Sequence, residues 1–117
     1  MNSSSIIKMS AADFDDDMNL TDKKCHIILF YTDWCGHCND FKPKFAEFAD
    51  IAQFIRVGKL NADDNKTVCE KMSVESYPTI WGFKMGEHSE TYDGDRGDIN
   101  ALIEWAKNIC GEKCTCE

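Results

Sequence analysis

Three things are scarce in this 117-residue chain. The first is positive charge: 13 Lys and Arg stand against 21 Asp and Glu, a net charge of −8. That speaks against nucleic-acid binding, which rests on a basic patch, and against an anionic membrane surface. The second is length of apolar sequence. The longest clear run is 27–31, far short of the roughly 20 residues that span a bilayer. Residues 1–10 lack a charged n-region and a long apolar h-region, so no signal peptide is visible. If Met1 is the natural start, the expected location is the cytoplasm; a processed or excised domain would fit the secretory pathway or the lumen of the endoplasmic reticulum. The third is proline, with two residues in all, and neither an internal repeat nor a linker to a second domain stands out. The composition, 43% hydrophobic and 11% aromatic, is that of one globular domain able to bury a core.

Cysteine, in contrast, is abundant. There are seven, an odd number that full pairing cannot satisfy, and a domain of this size does not need staples. The cysteines therefore read as separate stories. Cys69 falls on the inner face of a helix pattern and Cys25 begins a strand pattern; both read as buried, inert thiols. Cys110, Cys114 and Cys116 cluster at a helix end and in the tail, where a soft metal, a disulfide or a secondary redox relay are all open readings. Three thiols lack a fourth tetrahedral ligand unless Glu117 or a second chain supplies it, so no metal site is assigned. Cys35 and Cys38 stand apart. They lie two residues apart in Trp34-Cys35-Gly36-His37-Cys38, after an apolar run and before a helix pattern. A sulfur at a helix N-terminus is favoured as a thiolate by the backbone N–H groups and the helix dipole. A second sulfur one turn further on can attack a mixed disulfide formed on the first.

The remaining pattern places this pair in a fold. Residues 6–7 suggest a short edge strand, and Ser10 an N-cap before a first helix carrying the acidic cluster Asp13, Asp15, Asp16 and Asp17. The run 25–32 is nearly continuous in β formers, which suits a strand buried on both faces. From 35 to 51 the apolar residues recur at helical spacing, with Pro43 interrupting. A second apolar strand covers 54–60 and a short helix 66–72. A strand at 79–84 turns through Met85-Gly86 into a hairpin partner at 87–92. Asp98 caps a last helix with the stripe Ile99, Leu102, Ile103 and Ala106, and Gly111 stops it. The expected fold class is α/β, a mixed central sheet flanked by helices in the order β-α-β-α-β-α-β-β-α, with the domain at 1–111 and a Cys-containing tail at 112–117. The cysteine pair then falls at the C-terminal end of a strand, where chemistry gathers in open α/β sheets.

This ordered set resembles a thioredoxin-fold domain of the protein disulfide isomerase type. Phe30-Tyr31 followed by Trp34-Cys35-Gly36-His37-Cys38 is similar to the isomerase active-site segment, with Pro43 where that family's helix is kinked. Val57-Gly58-Lys59-Leu60-Asn61-Ala62-Asp63 resembles the next strand and turn. Val74-Glu75-Ser76-Tyr77-Pro78-Thr79 resembles the loop bearing a cis-proline, and Tyr92-x-Gly94-x-Arg96 the segment before the last helix. The resemblance runs from about Cys25 to Trp105.

The resemblance implies a dithiol–disulfide oxidoreductase that forms or rearranges disulfides in protein substrates. No bound cofactor is expected, the redox-active Cys35–Cys38 disulfide being the carrier. Cys35 is the expected nucleophile and Cys38 the resolving thiol. His37 supplies a positive partner that weakens the disulfide and tilts the site toward donating it. The range is set by thioredoxin near about −270 mV and protein disulfide isomerase near about −180 mV, a gap of about 4 kcal/mol. Tyr77 and Pro78 are expected to offer backbone to an extended substrate, Trp34 an apolar lip beside Cys35, and Arg96 a mobile cation approaching Cys38. The implied partners are protein or peptide thiols and disulfides and a redox partner enzyme or glutathione, with the domain acting as a monomer.

Three departures from the family's pattern matter. Leu29 stands where a buried acid normally relays the Cys38 proton, which leaves Lys59 without its usual partner and makes it a candidate substitute base. Asn39 replaces a common lysine. Thr32-Asp33 replaces a small residue and proline, and Asp33 sets a negative charge next to Cys35, opposing His37. The competing functions are a thioredoxin-like reductase, a weakly redox-active binding or chaperone module, and a metal carrier using the tail. Asp93, Asp95 and Glu104 imitate a calcium loop, but Gly97 and Asp98 occur in the wrong order. Arg96-Gly97-Asp98 reads as a coincidental adhesion tripeptide, and the sequons at Asn2, Asn19 and Asn65 matter only in a secreted chain.

Overall fold

The computed structural model describes residues 5–111; Cys114, Cys116 and the sequon at Asn2 lie outside the described residues. Five strands form one sheet in the order β1-β3-β2-β4-β5. They are β1 (Ile6–Met9), β2 (His26–Tyr31), β3 (Arg56–Asn61), β4 (Thr79–Lys84) and β5 (Glu87–Thr91). The first three run parallel, with Leu29 opposite Lys59, and β4 and β5 are antiparallel. Three α-helices cover the sheet: α1 (Gly36–Ile51), α2 (Lys66–Lys71) and α3 (Ile99–Cys110). Among the described residues, no helix is long and apolar enough to cross a membrane.

Strand β2 organises the core because all six of its residues are buried. Its odd residues Ile27, Leu29 and Tyr31 face α1 and α3, in one cluster with Cys35, Cys38, Phe41, Phe45, Phe48 and Leu102. Its even residues Ile28 and Phe30 face the opposite layer with Leu60, Val68, Cys69 and Phe83. The two-residue period of a strand thus divides one continuous apolar run between two cores. Gly58 is required where β3 passes β1, since a Cβ there would lie 2.7 Å from the Met9 side chain. Pro43 sits inside α1.

Two expectations are corrected. The first helix is a single 3-10 turn, Ala11–Asp13. The capping box forms, with the Ser10 and Asp13 side chains satisfying each other's backbone, yet the chain leaves the turn at once. Asp15 accepts the backbone N–H groups of Asp17 and Asn19, a loop-forming use of aspartate that competes with a helix, and Phe14 pairs with Leu20 in an isolated bridge. The second correction concerns Cys25, which is not an inert thiol. It is disulfide-bonded to Cys110, 85 residues away, so α3 is tied at its C-terminal end to the start of β2. Helix α3 ends beside the start of the central strand β2, and that juxtaposition exists only once the sheet has formed.

Candidate active site

Beyond Tyr31, β2 gives way to a turn, Cys35 caps α1, and the helix begins at Gly36. The N-cap role fixes the chemistry of Cys35. Its Sγ accepts the backbone N–H of Cys38 at 3.1 Å, a donor aimed at the sulfur that stabilises negative charge there. As a thiol it donates to the Tyr77 carbonyl at 3.5 Å. Both cysteines are free thiols; Cys35 is 8% exposed and Cys38 fully buried. Burial, followed by the hydrogen bond its thiol gives to the Cys35 sulfur, pushes the Cys38 thiol up to about 11. The two sulfurs therefore differ, Cys35 just beneath the surface on a backbone donor and Cys38 deeper, holding its proton.

The Tyr77–Pro78 peptide is cis, and its loop supplies the carbonyl that meets Cys35. The Tyr77 hydroxyl donates to the Val74 carbonyl, fixing the loop from below. Trp34 is 71% exposed yet anchored: its Nε1–H donates to Asp63 at 2.8 Å, and its ring meets Tyr77 edge-on. Tyr77 thus touches the Cys35 sulfur through its carbonyl and the Trp34 ring through its side chain.

His37 is exposed on the first turn of α1 and shares a surface recess with Arg96, Asp40, Phe41, Lys44 and Gly97. Gly36 faces open space, with nothing near a Cβ placed there. Arg96 is exposed in the loop before α3. Lys42, one helical turn after Cys38, adds a minor charge effect that favours the Cys38 thiolate against the dominant effect of burial. Lys42 sits 4.7 Å from the Tyr31 ring centroid and 3.5 Å from Asp33. The i, i+4 spacing from Cys38 was the signal that could have found it. Asp33 also accepts from Asn61, and Asn39 donates to the Asp33 carbonyl, so two of the departures from the family pattern form one local network. Lys59 is half-buried on β3, in register with Leu29 on the α1 face. The Thr32 hydroxyl is buried without a hydrogen-bond partner. Among the described residues, no group of three or more His, Cys, Asp or Glu could hold a metal ion.

A parallel β2–β3 pair, an antiparallel β4–β5 hairpin and a buried cysteine pair at the start of the helix after the central strand define a class. The chain belongs to the thioredoxin family, whose sequence profile matches residues 5–108. Among particular relatives it is similar to protein disulfide-isomerase 1 of Caenorhabditis elegans, 29% identical over 117 residues, which covers 97% of this chain and 23% of that protein. It is also similar to DnaJ homolog subfamily C member 10 of Rattus norvegicus, 33% identical over 86% of this chain and 12% of the relative. The chain thus spans less than a quarter of the length of either. Of solved structures, the J-Trx1 fragment of ERdj5 superimposes with a TM-score of 0.80 at 30% identity, covering 91% of this chain and 52% of that one.

Proposed function

We propose that this domain is a protein disulfide isomerase-like dithiol–disulfide oxidoreductase working through Cys35-Gly36-His37-Cys38. The observation that carries the proposal is the Cys38 N–H donating to the Cys35 sulfur at 3.1 Å. That contact supports the reading of Cys35 as the attacking sulfur. In the oxidising direction a substrate thiolate attacks Cys35 Sγ of the Cys35–Cys38 disulfide, the intramolecular S–S bond breaks and Cys38 leaves. A second substrate thiolate then attacks the substrate sulfur of the mixed disulfide, forming the substrate disulfide and releasing Cys35 as a thiolate. In isomerisation the reduced Cys35 attacks a substrate disulfide first, and Cys38 resolves the mixed species if the substrate does not rearrange. His37, when cationic, and the helix terminus favour the Cys35 thiolate as leaving group. Trp34 and the Tyr77–Pro78 loop receive the chain flanking the substrate sulfur, and Arg96 and Lys59 are the candidate helpers of Cys38. No cofactor enters any step.

Oxidative refolding of a reduced protein substrate tests the proposal. The parent restores native disulfides catalytically, and Cys35→Ser abolishes the catalysis. Equal activity of the two proteins overturns the proposal and leaves the binding-module reading. Insulin reduction by the parent without any oxidative refolding favours the reductase reading.

A further inference from the structure

The recess beside His37 has a volume of about 210 Å³ and is lined by His37, Asp40, Phe41, Lys44, Arg96 and Gly97. Its charge runs against the rest of the molecule. The chain carries −8 overall, yet here two permanent cations, Lys44 and Arg96, face one acid, Asp40, and His37 adds a third positive charge when protonated. Among the described residues the ion pairs are Lys42–Asp33 and Arg56–Asp22, so Lys44 and Arg96 are not neutralised by a partner of their own. Across the cysteine pair the sign reverses. The recess of about 200 Å³ on the Trp34–Tyr77 side carries Asp63 and Glu70 against Lys66. The Cys35 sulfur, bonded to the Tyr77 carbonyl on that side and two residues from His37 on the other, lies between one recess with an excess cation and one with an excess acid in its lining.

We propose that the His37–Lys44–Arg96 recess is a carboxylate subsite, which makes the preferred substrates those with an acidic group beside the reacting sulfur. The proposal rests on the exchange reading above and names its substrate class. Phe41 supplies an apolar wall for the methylene stem of the ligand, and Lys44 and Arg96 supply the donors. The same chemistry serves two sources: an acidic residue flanking a substrate cysteine, or the carboxylates of a small tripeptide thiol of the glutathione type.

The test uses three peptide disulfides identical except for Glu, Gln or Lys beside the cysteine, reduced by the dithiol protein at low ionic strength. The Glu peptide is expected to react at least about threefold faster than the Lys peptide, with the preference fading in high salt. Lys44→Glu is expected to abolish or invert that ratio, and Asp40→Asn to enlarge it. A ratio that is the same in all three proteins overturns the subsite and leaves the exchange reading intact. If the Gln peptide is not turned over by the parent, the exchange reading fails, and a binding arm then decides on the subsite. Serine analogues of the three peptides are titrated into the oxidised protein and followed at the His37 ring by NMR. Tighter binding of the Glu analogue, lost in Lys44→Glu, supports the subsite; equal binding of all three overturns it. S-methylglutathione in the same titration separates the sources. Saturation of the same resonances supports a small-thiol occupant, and their silence beside a responding Glu peptide assigns the subsite to protein substrates.

Discussion

Replacing Leu29 by glutamate should speed the resolving step at neutral pH, and the size of the effect follows from the burial of Cys38. With its thiol near 11, about one Cys38 in 10⁴ is ionised at pH 7. A more basic thiolate is also a better nucleophile, and a Brønsted slope near 0.45 over about four pH units returns roughly sixtyfold. The net deficit against a thiol that titrates near 7 is on the order of a hundredfold. Leu29 is 1% exposed, in the same cluster as Cys35 and Cys38, and opposite Lys59. A carboxylate there would stand beside a lysine and within the layer that holds the Cys38 thiol. The substitution should destabilise the fold by about 2–4 kcal/mol, since it removes a buried Leu and buries a polar group that Lys59 only partly compensates. Resolution is followed by loading glutathione on Cys35, quenching with acid at set times and counting mixed disulfide by mass spectrometry. In the parent the rate should rise about tenfold per pH unit from pH 6 to 9, because Cys38 is far below its midpoint throughout that range. Leu29→Glu should flatten the profile and raise the pH 7 rate at least about tenfold. Leu29→Gln, with the same shape and no proton affinity, should destabilise similarly without acceleration. A pH-independent rate in the parent, or equal acceleration by Gln and Glu, would refute the reasoning.

Two further outcomes follow from the other cysteines. Loss of the Cys25–Cys110 bond in Cys110→Ser releases a loop of 85 residues, which in the chain-entropy account costs about 4.5 kcal/mol. Urea unfolding should show a midpoint lower by about 2 M, and a change below about 1 kcal/mol would contradict a structural role for the bond. Cys69, raised from an ordinary 9.0 to about 11 by burial, is neutral in the fold at pH values where the unfolded thiol ionises. Its contribution to stability is complete below pH 9 and lost as pH rises through 11. Cys69→Val should therefore flatten the alkaline fall in stability measured by denaturant unfolding between pH 9 and 11.

The central architecture was legible because its signals are local. The run 25–32 carries so many β formers that it reads as a doubly buried strand, and the spacing of Phe41, Phe45 and Phe48 defines one face of α1. Asp98 and Gly111 mark the ends of α3 through capping chemistry, with Asp98 accepting the Ala101 N–H and Gly111 left-handed at φ 50°. What escaped depends on tertiary placement. Cys25 and Cys110 meet only because α3 ends beside the start of β2. The acidic segment after Ser10 has a helix cap, but its aspartates hold backbone N–H groups in a loop instead of continuing the turn. At the site, the family pattern drew attention to Arg96 and not to Lys42, which stands one turn from Cys38 on the same helix and adds a minor charge effect there. The reversal of charge across Cys35 is likewise invisible in a net value of −8, because it joins the first turns of α1 to a loop more than 50 residues later.

The central claim, that His37 and the helix terminus make this pair a disulfide donor, is tested most directly by the reduction potential of Cys35–Cys38. It is measured against a glutathione buffer with the Cys25–Cys110 bond intact, reading each pair separately by thiol alkylation and peptide mapping. The account predicts a value nearer about −180 mV than about −270 mV; a value at or below about −270 mV would contradict it.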